Sequence, residues 1–214
     1  MARPKLWLIA GPNGAGKTTL VQAAPISQLL PHTRFLNPDD VTRVALNSLG
    51  FSSFAAVPDD VLRRVFIESA NVVFDDLKRG LKAGECVGVE TVLSTGKYRE
   101  LVELVRRRRG FVGLIYVAIS SPRLSMERVR QRVSRGGHDV PPQKIADRWR
   151  RSLEQLGWFA KRATVFWVFD NSDSNPDIPP RLVARGKKGC IESLDAITFP
   201  ELHVALAELG QSKR

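Results

Sequence analysis

The chain has 214 residues, of which 43% are hydrophobic and 26% are charged, a balance typical of a soluble globular protein with a substantial core. It contains no run of roughly 18 apolar residues and no long apolar stretch at the N-terminus, so we expect neither a membrane span nor a secretory signal. The net charge of +11 favours anionic partners such as nucleotides, nucleotide-sugars, nucleic acids or an acidic protein. The two cysteines lack metal-ligand spacing, which fits a reducing cytoplasm.

Residues 6–10 form the first predicted element, a buried strand, and residues 18–24 favour a helix. The loop between them fits the phosphate-binding pattern G-x-x-x-x-G-K-[ST] with Gly11, Pro12, Asn13, Gly14, Ala15, Gly16, Lys17 and Thr18. Its glycines allow successive backbone N–H groups to point at phosphate oxygens, and the helix N-terminus adds a favourable partial charge. The pattern predicts that Lys17 reaches the β- and γ-phosphates of a nucleotide and that the Thr18 hydroxyl binds Mg²⁺.

Acidic residues follow the second and third predicted strands, residues 33–37 and 86–89. Asp39, with Asp40, opens a helix that we expect to end before Gly50. Helix capping and a functional carboxylate are compatible interpretations here, because one aspartate can cap the helix while the other takes part in the reaction. Glu90 is either an exposed loop residue or a carboxylate that faces substrate or, through water, Mg²⁺. Ligands of open α/β sheets bind beyond the carboxyl ends of the strands, where both residues are expected.

Two predicted helices serve packing alone. The apolar spacing predicts a long helix from Asp59 to its stop at Gly80, and a second helix from about residue 97 to residue 109 with Gly110 as its C-cap. The four arginines before Gly110 invite a nucleic-acid interpretation, but cations in a last turn complement the helix dipole, and we favour that interpretation.

An arginine-rich region follows the fourth predicted strand, residues 111–119. Helices are expected over residues 123–135 and 143–156, with a break at residues 136–142. Arg128, Arg132 and Arg135 recur at helical spacing on one face, and Arg148 lies on the second helix. The region, residues 123–157, is predicted to form a lid that closes over a transferring phosphate. A solvated basic face is the alternative, and we interpret His138 as structural.

Beyond a fifth strand at residues 164–169, we expect a loop, an edge strand at residues 181–189 and a helix at residues 199–209. Alternating strands and helices imply a three-layer α/β fold of the P-loop kinase type, with a mainly parallel sheet of five to six strands. We expect one domain over residues 1–214, with a C-terminal extension from about residue 173.

The order of the motifs resembles the zeta-toxin-like P-loop kinases over about residues 5–172. The matching segments are Gly11 to Thr19, Phe35 to Asp40, Glu90 to Ser94, the Gly136-Gly137-His138-Asp139-Val140-Pro141 segment, Arg148, and Asp170 to Ser172. The founding toxins phosphorylate the 3′-hydroxyl of the amino sugar in UDP-N-acetylglucosamine with ATP or GTP and Mg²⁺. They lack the Gly-Gly-His-Asp-Val-Pro segment, so the chain is more similar to the broader zeta-like branch.

The resemblance implies roles for individual residues. Asp39 matches the general base, and Glu90 with the adjacent Thr91 matches the substrate site. Arg132 and Arg148 match the two phosphate-facing arginines, with Arg128 or Arg135 as the alternative to Arg132. Lys17, Thr18 and Thr19 belong to the nucleotide site, and an antitoxin protein is the implied partner.

Two other functions remain open from the sequence. The basic face fits a nucleoside, nucleotide or polynucleotide kinase, although charge alone makes a nucleic-acid partner the weaker expectation. A nucleotide-dependent switch without catalysis would need the acidic residues only as helix caps.

Overall fold

A mainly parallel sheet lies at the centre of the computed structural model, which describes residues 2–22, 26, 28, 30, 32–137, 139–175 and 177–211. Over these residues the sheet has eight strands in the order β2-β3-β1-β4-β5-β6-β7-β8. They are β1 (Lys5–Ala10), β2 (Arg34–Leu36), β3 (Cys86–Thr91), β4 (Phe111–Ala118), β5 (Val165–Asp170), β6 (Arg181–Lys187), β7 (Cys190–Leu194) and β8 (Gly210–Gln211). Strands β1 to β5 are parallel, β6 and β7 form an antiparallel hairpin on β5, and β8 is parallel to β7.

Seven α-helices in the described residues connect and cover these strands. They are α1 (Lys17–Gln22), α2 (Pro38–Ser48), α3 (Asp59–Ala83), α4 (Arg99–Arg107), α5 (Pro122–Val133), α6 (Pro142–Arg162) and α7 (Pro200–Leu206). None of the helices in this part of the chain combines the length and apolar character that a membrane span requires. The α/β fold with a mainly parallel sheet, predicted from the alternating pattern, is therefore confirmed.

The core is centred on β1 and β4, whose residues are almost all buried. Buried parallel strands read as continuous apolar runs because helices cover both faces, which explains why the sequence pattern located them. In the register, Ala10 of β1 lies opposite both Thr91 of β3 and Tyr116 of β4. The segments that follow β1 and β3 therefore leave the sheet at the same edge.

The long helix α3 passes through Gly80, which the sequence had predicted as its stop. The helix continues to Ala83 and ends at Gly84, whose φ of 85° is left-handed. At Gly80 an added Cβ would lie 2.8 Å from Glu85 Oε2 and 3.0 Å from Val87 Cγ1, so glycine permits the helix to approach β3 closely. The buried Leu81 continues the apolar face of the helix beyond this point.

Other helix ends also differ from the prediction, and those of α4 and α6 have a structural reason. Helix α4 ends at Arg107, and the left-handed residue after it is Arg109 (φ 52°), so the expected C-cap role does not fall on Gly110. Helix α6 continues six residues beyond Leu156, because Phe159 and Ala160 extend its buried face against the core.

The sheet is larger than the five to six strands predicted. Strand β6 lies where an edge strand was expected, but it pairs with β5 on one side and β7 on the other, so it is not at the edge. Strands β7 and β8 were not predicted from the sequence. Lys188 (φ 50°) and Gly189 (φ 77°) form the two-residue turn between β6 and β7, and two positive φ values match the right-handed twist of a hairpin. Strand β7 has only one fully apolar dipeptide and β8 has two residues, so neither gives a clear alternating pattern.

Candidate active site

The P-loop forms the floor of the candidate site. Gly14 and Gly16 have φ values of 72° and 85°, which turn the backbone N–H groups of the loop toward its concave side. An added Cβ at Gly14 would lie 2.9 Å from Ser125 O, and one at Gly16 would lie 2.5 Å from Asn171 Nδ2. Glycine is therefore required at both positions by conformation and by close neighbours.

Lys17 lies inside this loop and is nearly buried. Its Nζ donates to the carbonyl oxygens of Gly11 at 2.9 Å and Pro12 at 3.0 Å. Burial lowers the pKa of Lys17, and this lowering is opposed by Glu90 and Asp39 and reinforced by Arg132. These four charged groups therefore act on one another within a single site.

The first residues of α1 connect the P-loop to β3. Thr18 Oγ1 lies 3.0 Å and 2.9 Å from the two carboxylate oxygens of Glu90, to which it donates. Thr91 is engaged locally, since its Oγ1 accepts from Leu93 N at 3.0 Å, and Thr19 is exposed on α1. Among the predicted metal and substrate residues, Thr18 and Glu90 are thus brought into direct contact.

Asp39 lies in the first turn of α2 and does not cap it. The cap is Asn37, whose side chain accepts from Asp39 N at 3.0 Å, and the adjacent Asp40 pairs with Arg43. The Asp39 carboxylate is exposed and is close enough to raise the pKa of both Lys17 and Arg148 against the effect of burial. Asn37 therefore provides the side-chain cap of α2, and the two aspartates, for which capping was one interpretation, lie in its first turn.

The four predicted arginines are placed differently. Burial lowers the pKa of Arg148, with Asp39 opposing, and Arg132 is exposed but acts electrostatically on Lys17. Arg128 is half-buried and its Nη2 donates to Asp173 O at 2.6 Å, on the side of the loop after β5. Arg135 lies beyond the end of α5 and is exposed. His138 lies outside the described residues.

Buried hydrogen bonds hold α5 and α6 against the sheet. Ser125 of α5 donates from Oγ to Asn13 O in the P-loop, and Ser121 caps the helix. In α6, Trp149 Nε1 donates to Ile119 O at 2.7 Å and Ser152 Oγ to Val92 O at 2.7 Å. Arg148 therefore lies one turn before a serine that is bonded to the segment following Glu90 and Thr91.

Sequence reasoning missed Ser125 and Asn171 as parts of the site. Asn171 Nδ2 donates to Ala15 O at 2.9 Å, which joins the end of β5 to the P-loop. Its place directly after a predicted strand at the ligand edge was an available signal. Ser125 gave none, because a serine within a helix has no sequence feature that indicates a tertiary contact.

The residues present fit a nucleotide with Mg²⁺. The P-loop provides a concave backbone surface, and the buried Asn13 Oδ1 has no hydrogen-bond partner among the described residues. Thr18 and Glu90 offer the hard oxygen ligands that Mg²⁺ prefers. The described part of the chain contains no cluster of three or more His, Cys, Asp or Glu side chains that could hold a metal ion.

Comparisons with known proteins agree with this fold. The family model described as the AAA domain matches residues 6–156, and the chain therefore belongs to this family. A search of curated proteins found no match. The crystal structure of AvrRxo1-ORF1:-ORF2 with ATP is 17% identical with a TM-score of 0.67, and the alignment covers 100% of this chain and 67% of that one.

Two further solved structures are similar. The structure from the PezAT chromosomal toxin-antitoxin system of Streptococcus pneumoniae has a TM-score of 0.62 at 16% identity, covering 100% of this chain and 80% of that one. A chain of the Pnkp1/Rnl/Hen1 RNA repair complex has a TM-score of 0.51 at 16% identity, covering 71% and 44%. At these identities the similarity establishes a kinase-like P-loop fold.

Proposed function

We propose that this AAA-domain protein is an ATP- or GTP-dependent phosphotransferase of the zeta-toxin type, acting on a hydroxyl of a small anionic acceptor. A UDP-N-acetyl amino sugar is the first candidate acceptor. The observation that carries the proposal is that the exposed Asp39 carboxylate is close enough to Lys17 of the P-loop and to Arg148 of α6 to raise the pKa of both. A carboxylate near the phosphate loop and a further cation supports the role of a kinase general base.

In the proposed reaction Asp39 accepts the proton of the acceptor hydroxyl as that oxygen forms a bond to the γ-phosphorus. The bond from the γ-phosphorus to the β,γ-bridging oxygen breaks, and the nucleoside diphosphate leaves. Lys17, Arg132 and Arg148 stabilise the negative charge on the transferring group. Mg²⁺, when bound, supplies further positive charge to the phosphates, and Thr18 with Glu90 would hold it.

The lid, residues 123–157, is part of the same proposal. Arg132 lies on α5 and its charge acts on Lys17, whereas Arg148 lies on α6 and interacts electrostatically with Asp39. We propose that these helices close over the transferring phosphate and exclude water, and that residues 1–214 act as one kinase domain. Glu90, Thr91 and the arginines Arg128 and Arg135 contribute to the acceptor side.

The test is incubation of the purified protein with ATP, Mg²⁺ and a panel of UDP-sugars, nucleosides and oligonucleotides, read by mass spectrometry for the gain of one phosphate. We expect Lys17→Ala to abolish transfer and Asp39→Asn to lower kcat by about 100-fold or more with ATP binding retained. The matched control is Asp40→Asn, since Asp40 is also exposed on the first turn of α2 but pairs with Arg43. Full activity of Asp39→Asn would remove Asp39 from the base role.

Polynucleotide kinase activity is the second candidate, favoured by the net charge of +11 and by the fold shared with the RNA repair complex. The oligonucleotide arm of the panel tests it directly. Nucleotide binding with no product on any acceptor would instead support a switch whose output is protein contact. We also propose an antitoxin partner, which implies that the protein alone is toxic through its activity. Growth arrest on its expression should therefore require Asp39.

A further inference from the structure

A second cationic region lies at the amino ends of the parallel strands, whereas the P-loop lies at their carboxyl ends. A cleft of about 290 Å³ is lined by Arg106, Lys161, Arg162, Lys188 and Gly189. These residues come from the last turns of α4 and α6 and from the β6–β7 turn, so the cleft lies where β5 begins. The P-loop lies beyond the other end of the strands, about 20 Å away for a six-residue strand.

Helix dipoles account for only part of this charge. Basic residues in a last turn complement the partial negative charge of a helix C-terminus, which is about half a unit for each of α4 and α6. Glu103 adds one negative charge, and it accepts from Arg162 Nε at 2.9 Å and Arg106 Nη1 at 3.5 Å. About two negative charges therefore face four positive side chains, and the cleft retains a positive excess.

Arg162 is held in place before any ligand arrives. Its guanidinium lies over the Trp158 ring at 4.1 Å, donates from Nε to Glu103, and donates from Nη1 to Trp158 O at 3.4 Å. Because these contacts use Nε and Nη1, the Nη2 group is left to bind an anion. A fixed guanidinium loses little conformational entropy when it binds a phosphate oxygen.

The hairpin turn brings a lysine to this cleft. Lys188 has the left-handed φ of 50°, and its backbone N donates to Thr164 O at 3.1 Å. An added Cβ at Gly189 would lie 2.6 Å from Lys161 O, so the turn packs directly on the C-terminal end of α6. Lys188 and Lys161 are both exposed, and neither forms an ion pair with a carboxylate of the described residues.

We propose that this cleft binds a phosphate group, separately from the nucleotide site. Four cations from three elements, one fixed guanidinium and a positive excess provide what a phosphate dianion or diphosphate requires. The phosphate belongs either to a small phosphorylated metabolite or to the backbone of a nucleic-acid strand, and the experiment separates these sources. The inference rests on the charge and packing of the cleft and is independent of the proposed kinase activity.

The experiment is titration of the ¹⁵N-labelled full chain with sodium pyrophosphate, followed through the backbone amides of Lys188 and Gly189. The amides of Gly14 and Gly16 report the P-loop in the same spectra, so the two sites are separated. We expect saturable shifts at Lys188 and Gly189, and at least about tenfold weaker binding in the double variant Lys161→Ala/Lys188→Ala.

The matched control is Arg63→Ala/Arg64→Ala, which removes two exposed cations from α3. The two double variants therefore have the same net charge. It should change the affinity by less than about twofold, because separated surface charges are screened by salt. Equal weakening in the two double variants, or no saturation at Lys188 and Gly189, would overturn the proposal.

A ten-nucleotide single strand without terminal phosphates distinguishes the sources. Tighter binding of this strand than of pyrophosphate at the same amides, falling steeply with salt, would identify a nucleic-acid backbone as the ligand. Pyrophosphate binding without competition by the strand would identify a small phosphorylated molecule.

Discussion

Two walls of the candidate site are held in place by different means. The P-loop wall, residues 11–18, is fixed by its own backbone and by buried neighbours. Lys17 donates to two carbonyls of the loop, and Asn171 donates to a third. The arginine wall, formed by helices α5 and α6 and the residues just after α5, presents side chains that differ in burial, from the half-buried Arg148 on α6 to the exposed Arg135 beyond α5.

This difference explains why a sequence motif predicts the phosphate-binding loop but does not predict which arginines belong to the site. Phosphate binding by the P-loop wall depends on main-chain geometry, which glycine spacing specifies locally. On the arginine wall, the sequence offers several arginines at helical spacing, and tertiary packing determines which of them approach the phosphate. Arg148 and Arg132 act on Asp39 and Lys17, whereas Arg128 is directed to the loop after β5.

The largest expected effect distinguishes arginines within the arginine wall. Arg148→Ala should lower kcat by about 100-fold, because it removes a half-buried cation beside Asp39 where charge develops in the transition state. Arg135→Ala should change kcat by less than about threefold, since this exposed residue lies beyond α5 and its charge is screened by solvent. Single-turnover phosphoryl transfer, with the acceptor that the panel experiment identifies, measures both variants. Equal losses would show that the arginines act as a common electrostatic field.

The fold was more predictable than the site because its signals are local. Strands β1 and β4 are continuous apolar runs, and the P-loop is a contiguous motif, so both could be located from neighbouring residues. Strands β7 and β8 depend on pairing across the C-terminal region and have little pattern of their own. The Lys188-Gly189 turn was the one local sign of a hairpin there.

Contacts between distant residues explain the remaining errors. Gly80 resembled a helix stop, but its role is close packing of α3 against β3, which no helix-end rule includes. The sequence placed Asp39 beyond the carboxyl end of a strand, where ligands bind. That Asn37 caps the helix was seen only in the folded structure. Ser125 contacts Asn13, 112 positions away in the chain, and a separation of that size leaves no periodic trace.

An intermediate effect should separate support of the P-loop wall from general stability. Ser125→Ala removes the buried donor to Asn13 O, and we expect about 1–3 kcal/mol loss in the free energy of unfolding and about tenfold weaker ATP binding. Urea unfolding and calorimetric ATP titration measure the two quantities.

The control for this prediction is Ser152→Ala, which removes another fully buried serine that donates to a backbone carbonyl and also contacts Tyr116. It should lower stability by a similar amount and leave ATP affinity within about twofold, since Ser152 does not touch the P-loop. Equal losses of ATP affinity in both variants would show that the conformation of the P-loop depends on packing of the whole core and not on the Ser125 hydrogen bond.

The smallest effect on the reaction is expected from Tyr98, which belongs to neither wall. Burial raises its pKa from 10.0 to about 12. Between these pH values the unfolded chain has lost the phenolic proton that the folded chain retains, so stability falls as pH rises through this window. The contribution of one tyrosine is at most about 1.4 kcal/mol per pH unit.

Tyr98→Phe should therefore unfold like the wild type at pH 7 and become progressively more stable than the wild type between pH 10 and about 12. Tyr116, whose pKa is also raised by burial, is retained in both proteins and cancels in the difference. Urea midpoints along this pH series give the stabilities. Phosphoryl transfer at pH 7 should be unchanged, because the Tyr98 ring packs on Phe74 of α3 and belongs to neither wall. A fall in kcat in this variant would show that the packing of Tyr98 also affects the site, in addition to the P-loop wall and the arginine wall.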